Sequence, residues 1–271
     1  MDEPGLVPWQ YIFARGLTIF IVLNLYLYFE EGKNFYKNYF KVGISGLIGG
    51  CGLGVAMITF IYSITNTSAA VTLLCLAAMP FFTALLGFLF LKEKISINVW
   101  IAISIATIGI IIIALGNTEK NSLIGLIFGM TSSIGFSVFS VTLRWRKETP
   151  KFTTVAIAGL FCAFVATIFI LLSGSSFFST SYNGTLFSLH GTIVCMGLIL
   201  YSIGSKAIPA AELTLLSLTE VIGGIFWVWL PLFGVNEIPS TNTIIGGFFL
   251  FMSIIYYSLT IKTNRRFIAL N

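Results

Sequence analysis

The stretch Ser68–Gly116, SAAVTLLCLAAMPFFTALLGFLFLKEKISINVWIAISIATIGIIIIALG, decides how this chain is read. An apolar run with Pro80 near its middle leads into the charged turn Lys92-Glu93-Lys94 and then a second apolar run. The same plan returns at Pro209–Leu259, PAAELTLLSLTEVIGGIFWVWLPLFGVNEIPSTNTIIGGFFLFMSIIYYSL. In alignment, Ser68-Ala69-Ala70 falls on Pro209-Ala210-Ala211, Pro80 on Val221, and Glu93 on Glu237, with Phe233-Gly234-Val235 inserted in the later copy. Self-similarity over this length predicts a chain built twice from one unit, with repeats at 1–116 and 117–271.

Composition names the solvent. Charged residues make up 9% of the chain and hydrophobic ones 57%, with a mean hydropathy of +0.97. A soluble domain carries roughly 25% charge to coat its surface, so lipid must surround most of this one. Apolar segments near the ~20 residues that cross a bilayer core as helix number about nine: 9–29, 42–63, 69–91, 97–115, 123–143, 153–172, 189–205, 210–233 and 243–261. Helix is required because hydrocarbon offers no partner to a backbone amide. The expected fold class is therefore all-α and polytopic.

The connecting segments alternate in charge. Of the 15 basic residues, all but Arg15 and Lys120 fall on one side of the predicted topology, which makes that side cytoplasmic. The N-terminus is then outside and the C-terminus inside. Ser68 enters the membrane from the outer face and Pro209 from the inner, so the repeats are inverted, an architecture of secondary transporters with substrate near the midplane. The first repeat shows four spans and the second five, so a leading helix is expected before Trp9. The uncharged, serine-rich loop 173–184 reads as a connector outside the membrane.

Enzyme chemistry lacks side chains. Asp2 is the only aspartate and His190 the only histidine, so no triad or His-rich metal site is available and no P-loop is present. Cys51, Cys75, Cys162 and Cys195 lie singly in apolar runs and read as small buried hydrophobes. The basic residues form no patch with aromatics, so nucleic acid is not an expected partner. No catalytic residue, metal or cofactor is assigned.

Ionisable residues inside spans are the functional candidates, because a charge at the bilayer centre costs about 2.5–3.5 kcal/mol on insertion scales. Glu220 lies ten residues into its predicted span, ~15 Å deep, and Arg15 about 9 Å into the first. Pro80 removes a backbone hydrogen bond mid-helix and permits a bend. Tyr62, Tyr201 and Trp227 stand at depths suited to lining a pocket. Arg15, Tyr62, Pro80, Tyr201, Glu220 and Trp227 form the candidate substrate-binding set. Glu212, at a helix start, reads as a complement to the helix dipole. The small-residue stripes Gly46/Gly50/Gly54 and Gly125/Gly129/Ser133/Ser137 predict close helix packing.

The order of these features resembles the EamA family of the drug/metabolite transporter (DMT) superfamily. The residues concerned are Ser68-Ala69-Ala70, Met79-Pro80, Leu91-Lys92-Glu93-Lys94 and Ile108-Gly109 in the first half. In the second they are Pro209-Ala210-Ala211, Leu218-Thr219-Glu220-Val221, Glu237-Ile238-Pro239 and Gly246. Arg15 resembles an arginine of that family's second helix. The resemblance implies ten helices in two inverted five-helix halves, with both termini cytoplasmic. This chain departs from it at the first helix and at Val221, which replaces a proline. The family moves amino acids and related metabolites, nucleotide-like compounds and drugs.

The expected function is secondary transport of a small organic metabolite across the bacterial inner membrane by alternating access. The alternative is a non-transporting or truncated carrier-like protein acting as a binding scaffold. The expected partners are a small-molecule substrate and the bilayer, with a homodimer as an option.

Overall fold

A computed structural model of the chain describes residues 8–67, 69–92, 95–116, 123–146, 148–178, 181–229 and 241–269. The described residues are all helical or connecting. The helices are α1 (Pro8–Glu31), α2 (Lys37–Lys41), α3 (Gly43–Asn66), α4 (Ala69–Ala77), α5 (Met79–Leu86), α6 (Ile97–Gly116), α7 (Leu123–Trp145), α8 (Lys151–Ser173), α9 (Ser181–Gly204), α10 (Ala210–Leu216), α11 (Leu218–Trp229) and α12 (Thr241–Ala269). The expected spans are mostly helical where they are described. Six helices among these residues are long and apolar enough to cross a membrane, and Ile97–Ile112 and Ile244–Tyr257 add shorter apolar ones. The chain is a polytopic membrane protein. Glu93, Lys94, Lys120 and the insertion at Phe233-Gly234-Val235 lie outside the described residues.

Two compact units divide the chain. The first takes Met1–Tyr62 and Ile134–Pro209, the second Ser63–Ser133 and Ala210–Asn271. Each unit therefore draws on both halves of the sequence, with its boundaries inside α3 and α7.

In the first unit α1 lies against α8 and α9. The crossing of α1 and α8 is a glycine pair. A Cβ on Gly16 would stand 2.7 Å from the Gly159 carbonyl oxygen, and one on Gly159 would stand 2.7 Å from the Gly16 oxygen. Gly52 and Gly135 make the same reciprocal approach between α3 and α7. The predicted stripe Gly46, Gly50 and Gly54 meets Thr154, Ile157 and Phe161 of α8. Backbones this close gain dispersion contacts, which replace the hydrophobic effect as the force joining helices in lipid. Ile12, Ile19, Leu23, Leu53, Phe139 and Leu143 fill the core around these crossings.

The second unit pairs α6 with α12, α4 with α11, and α5 with α10. Ser253 Oγ donates to the Ala102 carbonyl at 2.7 Å, and Tyr257 Oη donates to the Glu212 carboxylate. Glu212 thus has a tyrosine partner in addition to its place in the first turn of α10. Ser63 Oγ bridges Thr72 Oγ1 (2.9 Å) and the Gly125 carbonyl (2.8 Å), so the second small-residue stripe also serves packing.

Three elements differ from expectation. The third and eighth spans are interrupted helices, broken at Ala78 and Ser217. The polar loop is shorter than expected, because α9 starts at Ser181. It is also packed: Phe177 and Phe178 lie against Phe13, with centroids 4.9 and 6.0 Å apart. Gly174 ends α8 at φ +65°, the left-handed C-terminal stop that glycine favours. Finally, Cys75, Cys162 and Cys195 are buried as expected, whereas Cys51 is exposed.

Gly159→Leu should force α1 and α8 apart, costing about 2–3 kcal/mol or more. Gly197→Ala, where a Cβ meets nothing within 4 Å, should be neutral or slightly stabilising. Thermal unfolding of the two detergent-purified variants, followed by size-exclusion, checks the contrast.

Candidate functional site

Arg15 sits in α1 at only 6% exposure. Its Nη2 donates to the Met57 carbonyl of α3 at 3.3 Å, and its Cζ lies 5.7 Å from the Tyr11 ring centroid. Tyr11 and Arg15 are four residues apart, so one helix face presents both. The Tyr11 hydroxyl hydrogen-bonds His190 Nδ1 of α9. On the same helix, Gln10 Nε2 donates to the Ser176 carbonyl at 2.5 Å, while its Oε1 is enclosed with no partner. A guanidinium carries five N–H donors. Here one long hydrogen bond and a ring face are what it finds, and no carboxylate reaches ion-pair distance among the described residues. Such a group is suited to taking a carboxylate or phosphate bidentately.

The other expected residues of the first unit stand around this cluster at different depths. Tyr62 lies on Trp9 at 5.0 Å, and Trp9 stacks on Phe169 at 4.2 Å. This aromatic layer is one to two turns from Arg15, about 9 Å along α1. Tyr201 is further away. Its hydroxyl shares a 2.6 Å hydrogen bond with Ser140, and its ring packs on Phe136 and Phe139. It lies about 16 Å along α9 from His190 and does not join the Arg15 cluster.

Pro80, Glu220 and Trp227 belong to the second unit, so the expected set is divided between the two. Pro80 occupies the first turn of α5, where its missing N–H costs least. The helix breaks at Ala78, whose own N–H turns back to Cys75 O at 3.1 Å. The second break lacks a proline. The Ser217 hydroxyl donates to Thr214 O at 2.8 Å, Thr214 Oγ1 donates to Ala210 and Ala211 carbonyls, and Glu220 N–H bonds Ser217 O at 2.9 Å. Hydroxyls bonding back to the preceding turn bend a helix.

Glu220 is therefore not mid-helix. It lies in the first turn of α11, where the positive end of the helix dipole favours a carboxylate. Ser217-Leu218-Thr219-Glu220 has the S-x-x-E spacing that marks helix starts, a signal the repeat alignment passed over. Glu220 and Trp227 are both exposed on α11, and Trp227 meets Phe226 edge-on at 6.2 Å. Tyr11 and Gln10 were also missed, because an isolated polar residue near a span end carries no pattern of its own.

The EamA-like transporter family model matches residues 4–115. A Helicobacter pylori J99 protein described as an uncharacterized transporter is 30% identical over 148 residues, covering 52% of this chain and 47% of its own. The pseudopaline exporter CntI of Pseudomonas aeruginosa is 24% identical over 211 residues, covering 76% of this chain and 72% of its own. The N-terminal part of the chain, residues 4–115, is thus similar to EamA-like transporters. The chain's match spans about half the length of the Helicobacter pylori relatives, 47% in each. A solved crystal structure superposes with a TM-score of 0.71 over 96% of this chain and 90% of that one, at 17% identity. At that identity the likeness speaks for a shared fold alone.

Tyr11→Phe should leave His190 Nδ1 without its partner and destabilise the first unit by about 1–3 kcal/mol. A lower unfolding temperature with unchanged helical circular dichroism is the expected readout.

Proposed function

We propose that the protein is a secondary transporter that moves a small organic metabolite bearing an acidic group across the bacterial inner membrane by alternating access. The observation that carries this reading is the pair of interrupted helices in the second unit. The segments α4–α5 and α10–α11 lie against each other, α4 on α11 and α5 on α10, with breaks at Ala78 and Ser217. Discontinuous helices of this kind frame substrate and ion sites in transporters, because they leave helix termini at membrane depth. Glu220 occupies one such terminus. The family-model match over residues 4–115 and the transporter-named relatives support transport over enzymatic chemistry.

The remaining assignments are part of the same proposal. The halves 1–116 and 117–271 are inverted repeats, and the C-terminus is cytoplasmic. Supporting the orientation, the segments carrying Glu30 to Asn38, Arg144 to Lys151, and Lys206 meet at one end of the first unit, so its basic loops gather as the positive-inside rule requires. Arg15 receives the acidic group of the substrate, which supplies the partner its guanidinium lacks. Within the first unit Tyr62 belongs to the aromatic layer near Arg15, and within the second unit Glu220 carries the coupling proton or binds a cationic group.

Proteoliposome uptake of a radiolabelled acidic-metabolite panel tests this. Glu220→Gln should abolish or uncouple transport without loss of folded protein. Arg15→Lys should raise KM about tenfold or more for acidic substrates, because a point charge cannot replace the planar fork. Transport by both variants at the parental rate would leave the two residues structural.

A further inference from the structure

A cavity of about 550 Å³ lies within the first unit, where the C-terminal end of α1, α2, the α7–α8 turn and the end of α9 come together. Its charges are sorted. Arg144 Nη1 donates to Ile208 O at 2.7 Å and Ser205 O at 3.4 Å, and Lys151 Nζ donates to Ser205 Oγ at 2.9 Å. Lys206 Nζ lies 5.7 Å from the Phe152 ring centroid. Three cations therefore gather around Ser205, and neither lysine is paired with a carboxylate among the described residues.

The first turn of α8 forms the adjoining wall, with Pro150 at its cap and no side chain capping its amides. That helix end favours an anion. Thr153 is on the same wall, fully buried, with no hydrogen-bond partner for its hydroxyl. Glu30 and Glu31 line the cavity from the C-terminal end of α1. The dipole there already favours a cation. Asn38 Nδ2 donates to Glu31 Oε2 at 2.6 Å, and no cation pairs with either glutamate among the described residues. One cavity thus holds an anion-seeking wall and a cation-seeking wall.

The cavity's surroundings suggest where such a ligand comes from. The short helix α2 supplies Asn38 to the lining. Tyr39 holds α2 to α1 through a 2.9 Å hydrogen bond to Asn24 Oδ1, and burial pushes its phenol above the ordinary range, so it remains a donor. Tyr36 and Phe40 are left exposed between Lys33, Lys37 and Lys41, and Phe29 is exposed beside them. Aromatics flanked by lysines at the end of a span mark the headgroup layer.

We propose that this cavity binds the headgroup of a zwitterionic phospholipid carrying a primary ammonium. The phosphate sits at the α8 N-terminus among Arg144, Lys151 and Lys206, and the ammonium sits between Glu30 and Glu31. This assignment is independent of the transport reading, since its test needs no transport.

The experiment is native mass spectrometry and thermal unfolding of the detergent-purified protein with added phosphatidylethanolamine, phosphatidylcholine or phosphatidylglycerol. Soluble O-phosphoethanolamine is a parallel arm. Phosphatidylethanolamine should be retained one to one and raise the unfolding temperature most. Lys151→Gln with Lys206→Gln should raise the lipid concentration needed for the shift by about tenfold or more. Glu30→Gln with Glu31→Gln, both at exposed positions, should abolish the preference over phosphatidylcholine while leaving retention of phosphate-bearing lipid. Equal responses to the three lipids in the parent, or an unchanged preference in the glutamate variant, would overturn the site. An equal effect of O-phosphoethanolamine would overturn the lipid as occupant.

Discussion

In hydrocarbon an amide that the chain does not satisfy costs several kcal/mol, and the rest of this structure is arranged around that constraint. It dictates helix in every span, which leaves deviations from helix as the informative features. Two lie in the second unit, at Ala78 and Ser217. Both are mended locally, by i−3 backbone bonds and, at Ser217, by hydroxyls that return to the preceding turn. The chain thus gains helix termini inside its third and eighth expected spans.

The helices must also find one another without help from the hydrophobic effect. They do so by removing side chains. Gly16 with Gly159 and Gly52 with Gly135 bring backbones into direct apposition, and serine and threonine hydroxyls add cross-helix bonds such as Ser140 to Tyr201. Apolar surface left exposed, including Phe164, Leu172 and Leu200, is what lipid-facing helices require. Against this background a buried guanidinium is anomalous. Arg15 finds there the Met57 carbonyl and the Tyr11 ring, with His190 joined to the cluster through the Tyr11 hydroxyl.

Much of this was legible in the primary structure. Hydropathy located every span that is described, because a membrane helix needs a run of apolar residues and little else. The stripe Gly46/Gly50/Gly54 announced its packing role, since spacing of four places residues on one helix face. Glu220 was found as an in-span carboxylate, but its setting was not. A depth count assumes an unbroken helix, and the break at Ser217 resets the count. The loop 173–184 was overextended because serine content outweighed the phenylalanines that pack it. Tyr201 was placed near the site by depth alone, yet its hydroxyl belongs to Ser140.

From the sequence alone follow the solvent, the helical class, the resemblance to the EamA family and the residues whose charge is out of place, all of which depend on composition and local order. Only the tertiary structure decided which helices share a unit, that Tyr11 and His190 attend Arg15, and that basic and acidic loop residues far apart in the chain line one cavity. Those facts depend on which backbones approach closely enough to pack, and no linear pattern encodes the partner of a glycine.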